Sequence, residues 1–247
     1  MFSCNMDTDM YEKDGENQDY VCEYDGARPS DSYDYKIVPG TAEWSSLKTG
    51  EEMVEACQVP TSLLTSMSTQ ALVQALWEYP LYLDVLHRYE YQFDFDSFAA
   101  DNNAYKELIT RKDAGKAVLD RLYYVQYPVE DELVSRYKFL ELTLAQTKLL
   151  STLTEKETKV LIEKVLQDDK LQFSDKSKSG YVLRPVSWLL IGRTLINAEY
   201  QPFMQEVSND KLLDSYLNDK NFVYLGGLYE DIAEKITCFA KDFINYK

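Results

Sequence analysis

Helix-start signals recur along this chain at intervals too short for long elements, and that rhythm limits the fold more than any other feature. Thr49-Gly50-Glu51-Glu52 is a capping box, in which the threonine oxygen accepts from a backbone N–H near Glu52 and the glutamate reaches back. It predicts a helix over 50–57. Pro60 closes that helix, because the residue before a proline is pushed away from helical angles, and Pro60-Thr61-Ser62 opens a short turn through Leu63 and Leu64. Ser68 or Thr69 caps the next helix, whose Leu72, Val73, Leu76 and Trp77 recur at three and four residues. Tyr79-Pro80 starts another, with proline where its missing N–H costs nothing, followed by Leu81, Val85, Leu86 and Tyr89. A helix from Asp94 or Asp96 carries Phe98, Tyr105, Leu108 and Ile109, and Asp113 opens one through Val118, Leu119 and Leu122. Nothing in this half reads as a strand.

The second half repeats the device. Aligned on Tyr127-Pro128, the pairs Tyr79-Pro80, Val85-Leu86 and Arg88-Tyr89 match Tyr127-Pro128, Leu133-Val134 and Arg136-Tyr137 at an offset of 48. Two readings fit: a degenerate helical repeat of solenoid length, or a common way of joining two helices. Tyr200-Gln201-Pro202-Phe203 is a looser third copy. Leu133, Tyr137, Leu140 and Leu144 continue a helix to Leu150, and Thr154-Glu155-Lys156-Glu157 is a second capping box before a helix to Gln167. Residues 170–180, with three serines and a glycine, read as an interior loop and a candidate sub-boundary. Pro185 starts the most apolar helix, through Trp188, Leu189, Ile191, Leu195 and Ile196, and the last stripe runs from Leu225 to Ile244. The expected fold is all-α: a multi-helix array, solenoid-like if the hairpin repeats are real, over residues 41–247.

Charge decides against some partners. With 42 acidic and 26 basic residues, the net charge of -16 repels nucleic acid and anionic lipid. Residues 1–40 hold ten acidic and three basic residues without apolar periodicity, and they are expected to form a flexible acidic tail. Its Tyr11, Tyr20, Tyr24, Tyr33 and Tyr35 are the residues that would pin it to the domain. Four cysteines, Cys4, Cys22, Cys57 and Cys238, lack the spacing of a zinc site. No apolar run approaches the roughly 18 residues of a membrane span. No signal peptide precedes the tail as written. Phe2-Ser3-Cys4, ahead of an acidic spacer, is similar to a bacterial lipoprotein junction, so Cys4 is the lipidation candidate if an upstream signal has been trimmed.

Catalytic motifs are not found. His87 is the only histidine, which excludes multi-histidine metal sites and reads best as a structural residue beside an apolar stripe. Asp7-Thr8-Asp9 and Asp94-Phe95-Asp96 lack the glycine at the sixth loop position that calcium loops require: Glu12 and Ala99 stand there. Phosphate-binding glycine loops, zinc-protease and serine-hydrolase signatures are missing. No catalytic, cofactor or metal residue is therefore assigned. With twenty tyrosines and ten phenylalanines, the expectation is a non-enzymatic module that holds a protein or peptide in an aromatic groove. Trp77, Tyr79, His87 and Tyr89 mark the corner where that groove is sought. The alternative is a hydrolase with paired carboxylates across an acidic cleft.

At Glu52-Met53, Ala56-Cys57-Gln58-Val59-Pro60, Met67-Ser68-Thr69, Leu72, Tyr79-Pro80-Leu81, Leu108, Arg111, Asp113-Ala114 and Leu119, the chain resembles a group of uncharacterised, often exported bacterial all-α proteins. The segment runs from Glu51 to Leu119. The resemblance implies a bacterial source and favours a place outside the cytoplasm or in the cell envelope; it carries no functional residue over.

Overall fold

The helix starts announced by Thr49, Ser68 and Thr154 are built from local hydrogen bonds. In the computed structural model, which describes residues 20–86, 91–125, 131–173, 184–218 and 228–245, α1 (Ala42–Ser46) and α2 (Gly50–Ala56) lead in. Thr49 Oγ1 accepts from the Glu52 N–H at 3.2 Å, and the Glu52 carboxylate reaches back to the N–H of Lys48 rather than Thr49. The second box closes fully, with the Thr154 N–H donating to Glu157 Oε2 at 2.7 Å and the Glu157 N–H to Thr154 Oγ1 at 3.3 Å. Pro60 precedes α3 (Thr61–Leu64), and Ser68 Oγ caps α4 (Thr69–Trp77) at the Ala71 N–H. Asp113 stands before α7 (Ala114–Tyr124) but spends its carboxylate on the Thr69 hydroxyl, at 2.8 Å, joining the starts of two helices.

Several boundaries differ from the sequence expectation. Tyr79-Pro80 leads into a single 3-10 turn, Tyr82–Val85, rather than an α-helix. The helix expected through Phe98 and Ile109 is two, α5 (Tyr91–Asp101) and α6 (Asn103–Leu108). The break is at Asn102, whose side chain accepts from the Tyr105 N–H at 2.8 Å and restarts the ladder. Likewise α8 (Asp131–Leu144) stops before α9 (Thr147–Leu150), while α10 (Glu155–Phe173) runs past Gln167. The four-residue turn after Pro80 and the fourteen-residue helix α8 are unlike in form, and Tyr127-Pro128 lies outside the described residues. The remaining elements are α11 (Arg184–Asn197), α12 (Gln201–Asn209), with Pro202 in its first turn, α13 (Lys211–Asn218) and α14 (Leu228–Asn245).

The described residues are helical with no strand, so the protein is an all-α array. Among them no helix is long and apolar enough to cross a membrane. In α14 the expected stripe faces inward at Ile232, Ile236, Phe239 and Phe243, and Glu230, Asp231 and Glu234 face out. α11 packs on α8, α10 and α14, and α4 packs on α6, α7 and α8. One hydrophobic core joins residues from both sides of the 170–180 stretch. Its centre is α8, buried on all sides from Tyr137 to Ala145, as befits a central helix.

Two charges ride on that central helix. Lys138 and Glu141, both 0% exposed, pair at 2.8 Å. Ser187 of α11 accepts from Lys138 and donates to Glu141 Oε2 at 2.9 Å. Beside them, Lys164 of α10 donates to Asp168 at 2.8 Å and to the carbonyl of Val125, just past the end of α7, at 3.0 Å. The Tyr137 hydroxyl also donates to Asp168, and the Lys138 and Lys164 ammonium groups lie 5.7 and 5.8 Å from the Tyr137 ring centroid. Burial pushes the Glu141 and Asp168 carboxyls up, and the lysines oppose the shift.

Enclosing two charges forfeits several kcal/mol of hydration each, which pairing offsets, so breaking one pair costs more than replacing both partners. Lys138→Met should therefore destabilise the chain by about 3–5 kcal/mol. The triple change Lys138→Met, Glu141→Leu, Ser187→Ala should recover most of that loss, as read by urea unfolding. In the single variant Glu141 holds a proton when folded and releases it when unfolded. The variant's stability should then fall, relative to the parent, as pH rises through and above the ordinary carboxylate range. A loss equal in the single and triple variants would show that the charges themselves are immaterial.

Candidate functional site

Of the two buried residues of the expected corner, Trp77 lies on the floor of a groove between α4 and α7, against Arg121, while Tyr79 packs on Phe98 of α5 and Phe139 of α8. Both are in the core, at 9% and 4% exposure, so neither lines an open cleft. His87, Tyr89 and Cys4 lie outside the described residues. What covers the groove is the chain's own segment 20–35, expected to be part of a flexible tail but lying against the helices without helix or strand of its own. Tyrosines attach it. The preceding nineteen residues lie outside the described part.

The segment first touches α7. Tyr20 donates its hydroxyl to Asp120 Oδ1 at 2.6 Å, and its ring lies 5.0 Å from that of Tyr123 and 5.5 Å from the Lys116 ammonium. Asp120, 1% exposed, also accepts from Lys116 Nζ at 2.7 Å. Two residues on, the Cys22 thiol donates to the Asp120 carbonyl at 3.4 Å, and burial pushes it up to about 11, so it is a contact rather than a reactive thiol. Tyr24 is the deepest anchor. The Arg121 guanidinium lies between its ring and that of Trp77, 4.5 and 4.6 Å from the two centroids. It donates to the Tyr24 hydroxyl and, at 3.0 Å, to Gln74 Oε1. Burial lowers this guanidinium to about 10.

Then the segment crosses to α4. Gly26 has φ 87°, in the left-handed region that favours glycine. A Cβ there would run into the Tyr124 hydroxyl and ring. Arg28 makes a fork on Glu78, with both N···O distances 3.1 Å, and Glu78 is held in turn by Gln74 Nε2 at 2.8 Å. Asp31 accepts from the Ser68 N–H at 2.6 Å and the Ser68 hydroxyl at 3.1 Å, at the start of α4. The Ser68 backbone bond holds this carboxyl below its ordinary value, as fits the positive end of a helix. Finally Tyr35 donates to the Ala75 carbonyl at 3.2 Å, and its ring lies 6.5 Å from Tyr79.

Five tyrosines in an acidic stretch were the available signal for this arrangement. The groove's own Asp120 and Arg121 gave none, because charged residues on a helix ordinarily face water. A second cluster has the residue types of nucleophilic catalysis: Ser187 Oγ contacts both Lys138 and Glu141. All three are 0% exposed, so no substrate reaches the hydroxyl. Among the described residues no group of three or more His, Cys, Asp or Glu side chains is placed to hold a metal ion.

Gly26→Ala should loosen the segment by more than about 1 kcal/mol, since the native backbone is incompatible with a side chain. Amide exchange over 20–35 should rise while α8 and α11 stay protected. The Asp31 contribution is present above the ordinary aspartate value and lost as pH falls through its depressed folded value. Protection of the Ser68 amide should therefore decline on acidification, and less so in Asp31→Asn.

No protein-family model matches the chain, and no curated protein or solved structure matches it either.

Proposed function

We propose that the chain is a non-enzymatic, protein- or peptide-binding helical module whose site is the groove between α4 and α7. The observation that carries this reading is the groove's occupant: residues 20–35 lie there without helix or strand of their own, held by aromatic anchors and matched charges. Buried aromatic and arginine contacts of this kind dominate the energetics of peptide recognition. The segment from Glu51 to Leu119, which resembles exported bacterial proteins, supplies α4 and most of α7, and we place the module in the bacterial envelope or exterior on that likeness. The hydrolase alternative has weaker support, since Glu141 and Asp168, the carboxyls that burial raises, are each clamped by a lysine inside the core.

The test uses the whole chain. A protease site inserted between Pro39 and Gly40 sits at a residue of φ 94° with open space around it. Cutting the folded protein there frees the segment from its tether. A labelled peptide of residues 20–36 should then exchange saturably into the groove. Loss of the cut segment from a still-folded protein that takes up no peptide would overturn the reading.

A further inference from the structure

Cys238, half-buried on α14 next to the core ring of Phe239, is disulfide-bonded. Its partner follows by elimination. The chain has four cysteines, Cys4, Cys22, Cys57 and Cys238, and Cys22 and Cys57 are free thiols. We infer that Cys238 is joined to Cys4, closing the chain almost end to end, and that the protein acts in an oxidising compartment with Cys4 in a disulfide rather than carrying a lipid. The inference is independent of the peptide-binding reading.

Thiol chemistry selects the same pair. Disulfide exchange needs a thiolate and a path for the attacking sulfur. Cys57 is 0% exposed, and burial pushes its thiol up to about 12. Burial, with the Asp120 charge behind it, pushes the Cys22 thiol up to about 11, and its Sγ lies 3.4 Å from the carbonyls of both Tyr24 and Asp120. Near neutral pH both stay protonated and so exchange slowly. Cys238 retains access to solvent on the surface of α14.

The bond forms by exchange with an external disulfide, either a small oxidised thiol or an oxidised dithiol protein. One cysteine thiolate attacks a sulfur of that disulfide and expels a thiolate. The second cysteine thiolate then attacks the mixed disulfide and expels the other. Two cysteine thiols are oxidised, one external disulfide is reduced to two thiols, and the cysteine protons end on the expelled thiolates. Such bonds persist in secreted and envelope compartments and are rare in the cytosol. The disulfide thus supports a place outside the cytoplasm on grounds separate from the likeness of the segment Glu51 to Leu119. It also rules out the lipid, since a thioether and a disulfide would claim the same valence of the Cys4 sulfur.

The experiment maps the cysteines of the full chain. Protein exported to an oxidising compartment, or made reduced and then treated with oxidised glutathione, is denatured, alkylated with iodoacetamide without reductant and digested with trypsin. The peptide Met1–Lys13, which holds Cys4, should be found joined to Ile236–Lys241, which holds Cys238, and the joined mass should be lost on reduction. The alkyl label should sit on Cys22 and Cys57. The double variant Cys22→Ser/Cys57→Ser should keep the link, and Cys4→Ser should abolish it and open Cys238 to the label. An alkylated Cys238 in the parent, a link to Cys22 or Cys57, a link between two copies of the chain, or a lipid on Cys4 would overturn the pairing. Chain retained in a reducing cytoplasm should label at all four cysteines, and a link formed equally well there would overturn the compartment.

Discussion

The array depends on two lysines and two carboxylates enclosed where α8, α10 and α11 meet. An apolar centre would hold three helices together in many rotational settings, since hydrophobic contact has no direction. The bonds among Lys138, Glu141 and Ser187, and among Lys164, Asp168 and Tyr137, are satisfied in one setting only. A helix turned by one residue would leave a charge unpaired in a dry interior. Lys164 extends the constraint outward through the Val125 carbonyl, which fixes the end of α7 and thereby one wall of the groove. Core and site are therefore parts of one positioned unit.

Much of the frame was legible from residues that act locally. Thr49, Thr154, Ser68 and Pro60 signal helix starts because capping is decided within four residues, and each stands where a helix begins. The apolar stripes of α4, α11 and α14 are likewise inward faces. What escaped was whatever depended on a distant partner. Asn102 breaks a helix that periodicity alone would carry through, and Lys138 and Glu141 look like surface charges until Ser187 is brought beside them.

The site shows the same division. Trp77 and Tyr79 were legible as an aromatic corner, yet Trp77 is covered by Arg121 with Tyr24 beyond it, and Tyr79 is packed on the core rings of Phe98 and Phe139. Charge and missing periodicity made the first forty residues read as a free tail. The attachment of residues 20–35 rests on single side chains spaced along an irregular backbone, and no periodic test detects that. Charge also misled in sign: a segment that repels itself in isolation is held by Lys116, Arg121 and the start of α4, cationic features on an acidic protein.

Because groove and occupant are encoded on one chain, they are inherited together. Any drift at Glu78 meets Arg28 in the same molecule, and any drift at Arg121 meets Tyr24. The shape of the groove is thus checked against its own cover at every folding event. The covering segment acts as the template against which the site is kept true.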